Sequence, residues 1–115
     1  MVLLLEDQPL IAMDTEAMLK QAGFRQIAVR TSVEEAQQTL AEVHPDVVMM
    51  EIRLQGHSTA ALARGFRQGG IPFLIYTGAT QRLVRDHGFP DVEWLSKPAD
   101  IGVITAALSR VLTGR

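Results

Sequence analysis

Charged and hydroxyl side chains stand at the ends of four short apolar runs, and these are the residues with which the chain could do chemistry. They are Glu6 and Asp7 after the run 2–5, Glu51 after 47–50, Thr77 at the end of 72–77, and Lys97 soon after 92–95. In an open parallel sheet, ligands bind at the carboxyl ends of the strands. If the runs are strands of such a sheet, these side chains form one acidic pocket.

The run 47–50 is central to this prediction. It lies in the stretch 46–53, with Pro45 before it and Gly56 after it. Four apolar residues could also belong to a buried helix, but valine and isoleucine between these two breakers favour a buried strand of about five to seven residues. Glu51 is then the residue at which this strand leaves the core.

Helical patterns separate the apolar runs. Pro9 suits the first turn of a helix that Gly23 ends, and Ser32 with Glu35 forms a capping box before a second helix. The predicted elements are strands at 2–5, 27–29, 46–52, 72–77 and 92–95, helices at 9–22, 33–43, 58–69, 81–87 and 101–112, and an irregular loop at 53–57. Alternating strands and helices indicate an α/β fold with a doubly wound, five-stranded parallel sheet. The strand order 2-1-3-4-5 would bring the three carboxylates together.

Composition narrows the class of protein. The 115 residues suit one domain, 1–115, and 47% hydrophobic residues can form its core without a disulfide or metal. The absence of cysteine is compatible with the cytoplasm. A net charge of −2 gives no electrostatic sign of nucleic-acid binding, and no apolar run approaches the roughly 20 residues of a membrane span.

Four segments together resemble the receiver domain of two-component response regulators. They are Leu3-Leu4-Leu5-Glu6-Asp7 with Pro9, Pro45-Asp46-Val47-Val48-Met49-Met50, Thr77-Gly78, and Leu95-Ser96-Lys97-Pro98. Each segment is a weak signal by itself, but their order and spacing make the resemblance specific, and it covers essentially the whole chain. The resemblance implies the flavodoxin-like receiver fold and a role in signal transduction, with a sensor histidine kinase or another signalling protein as partner.

The resemblance also implies roles for individual residues. Glu6, Asp7, the residue at position 51 and the backbone carbonyl of Arg53 would hold Mg²⁺, a cation that prefers oxygen ligands. Thr77 and Lys97 would hold the oxygens of a phosphoryl group. Trp94, three residues before Lys97, occupies the position of the aromatic residue whose movement changes the face offered to partners.

The chain departs from the family at the phosphoacceptor, where Glu51 replaces aspartate. The extra methylene moves the carboxylate outward by roughly 1.5 Å, and a misplacement of about 1 Å can cost a reaction about 10²-fold. The longer side chain is expected to reach Lys97. Mg²⁺ remains possible at the acidic pocket, but Lys97 would compete for the same carboxylate oxygens and weaken or displace the ion. We therefore predict a pseudo-receiver that partly imitates the phosphorylated state. Gln55 and Gly56 replace the proline and polar residue common in relatives, which predicts a looser loop.

Several alternatives remain open from the sequence. Glu51 and Lys97 could form a purely structural ion pair, and Trp94 could be a packed aromatic residue. The protein could instead be a Mg²⁺-dependent phosphotransferase or phosphatase, although the haloacid-dehalogenase pattern of an aspartate with a second aspartate two residues later does not occur at Asp7. It could also be the receiver part of a longer regulator with an output domain, carrying a phosphomimetic glutamate. Association with a second copy of the chain, as a homodimer, is also left open by the sequence.

Overall fold

The computed structural model of the protein describes residues 1–89 and 92–114. Its helices and strands follow one another along the chain with short connections. They are β1 (Val2–Leu5), α1 (Pro9–Gln21), β2 (Ile27–Arg30), α2 (Val33–Glu42), β3 (Val47–Met50), β4 (Arg53–Leu54), β5 (His57–Ser58), α3 (Ala60–Gly69), β6 (Phe73–Thr77), α4 (Gln81–Asp86), β7 (Trp94–Ser96) and α5 (Ile101–Leu112). In this described part of the chain, no helix is long and apolar enough to cross a membrane.

Five strands form one parallel sheet in the order β2-β1-β3-β6-β7. Numbered among themselves, these strands have the order 2-1-3-4-5, so the predicted α/β fold and its strand order are confirmed. The chain reverses its direction of winding between β1 and β3. Their carboxyl ends are therefore neighbours, which is the position at which doubly wound sheets bind ligands.

The sheet is buried on both faces because its strand residues alternate between two hydrophobic clusters. Leu3, Leu5, Val48, Met50 and Ile75 belong to one cluster, which α3 completes with Ala63 and Phe66. Val2, Leu4, Val47, Met49 and Leu74 belong to the other, which α1 and α5 complete with Leu19, Ile104 and Leu108. Apolar side chains on both faces explain why β1 and β3 are uninterrupted apolar runs.

The central strand β3 is shorter than the predicted five to seven residues, but its hydrogen bonding extends past both ends. The Asp46 N–H donates to the Met1 carbonyl at 2.9 Å, and the Glu51 N–H donates to the Leu5 carbonyl at 3.0 Å. Paired backbone thus runs from Asp46 to Glu51. This bonding holds Glu51 in line with the strand and directly beside the end of β1.

The prediction of an irregular loop at 53–57 is wrong. β4 and β5 form a small antiparallel hairpin in which Arg53 pairs with Ser58 and Leu54 with His57. Gln55 and Gly56 make the two-residue turn with φ angles of 49° and 81°, the positive values that a type I′ hairpin turn requires. Leu54 is fully buried and anchors this hairpin, defined as residues 53–58, to the domain.

Candidate functional site

Backbone hydrogen bonds between neighbouring strands hold the site residues at one edge of the sheet. The Glu6 N–H donates to the Arg30 carbonyl of β2 at 3.1 Å, and the Lys97 N–H donates to the Thr77 carbonyl of β6 at 2.9 Å. Together with the Glu51 N–H bonded to β1, these contacts continue the parallel ladder by one residue beyond each strand. The predicted acids, threonine and lysine therefore meet at the same edge.

The Lys97 ammonium lies between two carboxylates. It forms a hydrogen-bonded ion pair with Glu6, and it lies 3.0 Å from Oε1 of Glu51. Only 2% of Glu6 is exposed to solvent, and the side chains of Lys97 and Glu51 are 11% and 15% exposed. The predicted reach of Glu51 to Lys97 is confirmed. This arrangement is a largely buried triad of two acids and one base, in which each charge has an opposite charge beside it.

The surroundings of Lys97 act on its charge in opposite directions. Burial disfavours the ammonium, but the hydrogen bonds and charges of Glu6 and Glu51 outweigh that cost and raise the pKa of Lys97 above its ordinary value. The ammonium also lies 5.7 Å from the centre of the Tyr76 ring, which is within the range of a cation–π contact. Lys97 is therefore positively charged at neutral pH, and it contacts both glutamates and the tyrosine ring.

The remaining oxygens of the two glutamates have backbone partners. Oε2 of Glu6 accepts from the Gln8 N–H at 3.1 Å, and Oε2 of Glu51 accepts from the Ile52 N–H at 2.7 Å. Hydrogen bonds from peptide N–H donors fix the orientation of a carboxylate. With Lys97 on one oxygen and an amide on the other, each glutamate is held from both sides.

Asp7 does not join this triad. It lines the pocket above it, and its Oδ2 accepts from the backbone N–H of Gln55 at 2.7 Å. The tip of the hairpin is thereby attached to the loop after β1. Sequence reasoning placed Asp7 in the pocket correctly, but it missed Gln55, because a Gln-Gly pair is a weak hairpin signal beside Asn-Gly or Asp-Gly.

Thr59 is a second residue that sequence reasoning missed. It is fully buried, its hydroxyl donates to the Glu51 carbonyl at 2.7 Å, and its N–H donates to the Ile52 carbonyl at 2.9 Å. These two bonds attach the start of α3 to the backbone of Glu51 and Ile52. A threonine eight residues after Glu51 carries no signal of such a contact in the sequence.

Thr77 and Trp94 lie in different places. Thr77 lines the same open pocket as Asp7, Glu51 and Lys97, a cavity of about 730 Å³, and its hydroxyl accepts from the Ala79 N–H at 3.1 Å. Trp94 is half-buried, does not line the pocket, and packs against one of the two hydrophobic clusters. The structure brings Thr77 into the candidate site and places Trp94 on the neighbouring strand outside it.

The geometry does not fit a ready-made site for a divalent cation. Within residues 1–89 and 92–114, no group of three or more acidic or histidine side chains is arranged to hold a metal ion. Glu6 and Glu51 face Lys97, and Asp7 faces the hairpin. The Arg53 carbonyl is the exception among the predicted metal ligands. Hydrogen-bonded and non-bonded pairs alternate along an antiparallel ladder. Because Thr59 bonds to Ile52, the next pair, Arg53 and Ser58, is non-bonded, and the Arg53 carbonyl points out of the hairpin. The Lys97 ammonium supplies the positive charge that a cation would bring.

Comparison with known proteins gives a consistent picture. The family model described as "Response regulator receiver domain" matches residues 2–109. The phyllosphere-induced regulator PhyR of Methylorubrum extorquens is 26% identical over 114 residues, which covers 96% of this chain and 43% of that protein.

Solved structures agree with this result. A variant of the anti-anti-sigma factor PhyR from Bartonella quintana has a TM-score of 0.84 and 26% identity, covering 98% of this chain and 48% of that one. The chain thus spans about half the length of these PhyR relatives. The receiver domain of a Pseudomonas aeruginosa sensor histidine kinase, with a magnesium ion coordinated in its active site cleft, has a TM-score of 0.83. At 22% identity, covering 97% of this chain and 96% of that one, this similarity shows the fold alone.

Proposed function

Because this chain belongs to the response regulator receiver domain family, we propose that residues 1–115 form a receiver domain that signals in the cytoplasm through protein–protein contacts. Glu51 stands at the phosphoacceptor position in this proposal. The domain is then a pseudo-receiver: its surface is set by the triad of Glu6, Glu51 and Lys97 and not by phosphorylation at position 51. It has no catalytic turnover of its own.

The observation that carries the proposal is the 3.0 Å contact between Glu51 and Lys97. An aspartate at the same backbone position would end roughly 1.5 Å earlier and leave space in front of its carboxylate. The glutamate carboxylate fills that space and forms an ion pair with Lys97 through a single negative charge. A phosphoryl group would bring about −1.5 to −2, so the glutamate imitates its position better than its charge.

The same contact argues against Mg²⁺ as a resident cofactor of this chain. A bound Mg²⁺ would offset the charge of three converging carboxylates, but two of them already face an ammonium. Taking Glu51 from Lys97 would leave a largely buried ammonium with one fewer partner, which costs free energy in a site of low polarity. Asp7 and the Arg53 carbonyl would remain as protein ligands, and two oxygens with water make a weak Mg²⁺ site.

The relatives suggest what the domain signals to. Two of them are named PhyR, and one of these is described as an anti-anti-sigma factor, so it acts on another regulatory protein. Since this chain matches about half of each, we infer that its output is also a protein contact, made by the receiver or by an output domain linked to it. A sensor histidine kinase or another signalling protein is the proposed input, and nucleic acid is not a proposed ligand of these residues.

Phosphate uptake tests the proposal directly. The wild-type protein, Glu51→Asp and Glu51→Gln are incubated with acetyl phosphate and Mg²⁺ and analysed by intact mass. We expect a single phosphoryl group on Glu51→Asp and none on the other two proteins. Glu51→Gln is the matched control, because it keeps the length of the side chain and removes the nucleophilic carboxylate.

Three other results would count against the proposal. Uptake by the wild-type protein would mean that Glu51 or another residue is a working acceptor, and the pseudo-receiver would be wrong. No uptake by Glu51→Asp would mean that the pocket is not that of a competent receiver. Steady release of phosphate from acetyl phosphate or a phosphomonoester would favour the alternative of a Mg²⁺-dependent phosphotransferase or phosphatase.

A further inference from the structure

We propose that the hairpin of residues 53–58 is a clasp that Asp7 holds in place at the wall of the acidic pocket without any cation. The proposal rests on the proposed function, because it explains how a receiver with an occupied acceptor position keeps its pocket ordered. It assigns to Gln55, through its backbone N–H, the role of a built-in ligand for Asp7.

The tip of the clasp is positioned to donate to Asp7. With positive φ at both Gln55 and Gly56, the turn directs the Gln55 N–H at Oδ2 of Asp7 across 2.7 Å. The Gln55 side-chain amide donates to the Thr31 carbonyl at 3.2 Å, and the Arg53 guanidinium donates to the Gly56 carbonyl at 2.9 Å. Three bonds thus define one conformation of an otherwise exposed turn.

The base of the clasp is fixed independently of its tip. Thr59 donates to the carbonyls of both Glu51 and Ile52, and Leu54 is fully buried beneath the hairpin. An antiparallel two-residue hairpin is marginally stable by itself. Here it is attached at the base to β3 and α3 and at the tip to the loop after β1.

The clasp joins the same two parts of the chain that a cation would join. By the family resemblance, Asp7 on the loop after β1 and the Arg53 carbonyl on the hairpin are two of the groups that would hold a divalent ion. The bond from Gln55 to Asp7 makes this link directly, and it is charge-assisted because Asp7 is a carboxylate. A proline at position 55 would have no N–H to donate and could not make the link.

Two alternatives to a clasp held by the peptide N–H can be separated from it by mutation. In one, the contact between the Gln55 side chain and Thr31 holds the tip, and Asp7 is incidental. In the other, the buried base alone orders the hairpin. Gln55→Gly removes the side chain but keeps the N–H and tolerates the positive φ. Asp7→Asn keeps an acceptor oxygen, whereas Asp7→Ala removes it.

Amide hydrogen exchange of the hairpin, followed by NMR in EDTA and again in Mg²⁺, tests the clasp. We expect the Gln55 amide of the wild-type protein to be protected in EDTA and unchanged within about twofold by Mg²⁺. Gln55→Gly should retain most of this protection, and Asp7→Asn should be intermediate, because its amide oxygen accepts the bond without the charge. Asp7→Ala should exchange about tenfold faster or more, as expected on losing a hydrogen bond to a charged group. Asp14→Ala, which removes an exposed carboxylate from α1, is the matched control and should behave as wild type.

Three results would overturn the clasp: a wild-type Gln55 amide that is unprotected until Mg²⁺ is added, Asp7→Ala that exchanges as slowly as Asp7→Asn, and Gln55→Gly that loses as much protection as Asp7→Ala. No phosphoryl donor is present in this experiment. The clasp can therefore fail while Glu51 remains unphosphorylated, and phosphorylation of Glu51 can be found while the clasp persists.

Discussion

Replacing Lys97 with methionine isolates the energetic role of the central ammonium. Methionine has a similar length and is apolar, so Lys97→Met removes the charge with little change in volume. Glu6, at 2% exposure, then carries a negative charge with no opposite charge beside it. Breaking a buried ion pair by removing one partner costs about 3–5 kcal/mol. We expect the lower end, about 3 kcal/mol of unfolding free energy, because Glu51 at 15% exposure can turn toward water.

Urea denaturation at pH 8 measures this change. With a slope of about 1.5 kcal/mol per molar urea, a loss of about 3 kcal/mol lowers the midpoint by about 2 M. The second variant, Glu6→Gln in the Lys97→Met background, removes the unpaired charge and keeps the shape of the side chain. We expect it to recover at least half of the loss, since the cost lies in the charge left behind and not in the missing ammonium.

The reasoning is refuted if Lys97→Met costs less than about 1 kcal/mol, the value of an exposed ion pair. It is also refuted if Glu6→Gln gives no recovery in that background. The first result would mean that water solvates the Glu6 carboxylate once the Lys97 ammonium is removed. The second would mean that the loss comes from packing against Tyr76 and not from the Glu6 charge.

Three further predictions concern the same framework. Glu6 and Glu51 raise the pKa of Lys97, so the stabilisation by its charge should be fully present below pH 10.5, the ordinary pKa of lysine, and should be lost as the pH rises through the raised pKa. Urea denaturation at a series of alkaline pH values should show this fall in unfolding free energy for wild type and not for Lys97→Met. Thr59→Val should lower the unfolding free energy by about 1–3 kcal/mol in urea denaturation, since the Glu51 carbonyl loses its buried donor. Ser32→Ala should cost about 1 kcal/mol in thermal denaturation, because the Ser32 hydroxyl accepts from the Glu35 N–H at the start of α2.

Matched controls separate these effects from general damage. Thr105→Val removes an exposed hydroxyl that donates within α5, so it should change stability by less than about 0.5 kcal/mol. A Thr59→Val effect no larger than this would contradict the role of Thr59. An alkaline slope shared by wild type and Lys97→Met would assign the pH dependence to other groups. A Ser32→Ala protein as stable as wild type would mean that the remaining contacts of α2 replace the cap.

Much of the fold was predictable because its signals are local. The apolar runs that became β1 and β3 are buried on both faces. Such strands are continuous runs of apolar residues, so they can be recognised without knowing which strands they pair with. Ser32 and Asp100 cap their helices as predicted, since a cap depends on residues three positions apart. The last strand begins at Trp94 and not at Val92, a difference typical of element ends.

The hairpin was not predictable from the same kind of signal. Gln55 and Gly56 have the positive φ of a tight turn, but the residues that hold this turn lie far away in the sequence: Asp7 is 48 positions earlier. Its strands have two residues each, which is too short for a hydrophobic period to appear. A sequence pattern reports periodicity, whereas this element depends on single long-range hydrogen bonds.

The sequence by itself determined which residues could meet. The spacing of Glu6, Glu51 and Lys97 relative to the strands places them at one edge of a parallel sheet, because all strands of such a sheet end on the same side. It also determined that glutamate, with its extra methylene, was long enough to reach the lysine. Local rules and bond lengths are sufficient for both conclusions.

Only the tertiary structure decided how the charges are divided. Three carboxylates and one ammonium can pair in several ways, and the sequence does not rank them. Packing placed Glu6 and Glu51 around Lys97 and left Asp7 to the Gln55 N–H. The physical reason is that hydrogen bonds and ion pairs depend on distances of a few tenths of an ångström, and those distances follow from the whole core and not from any one segment.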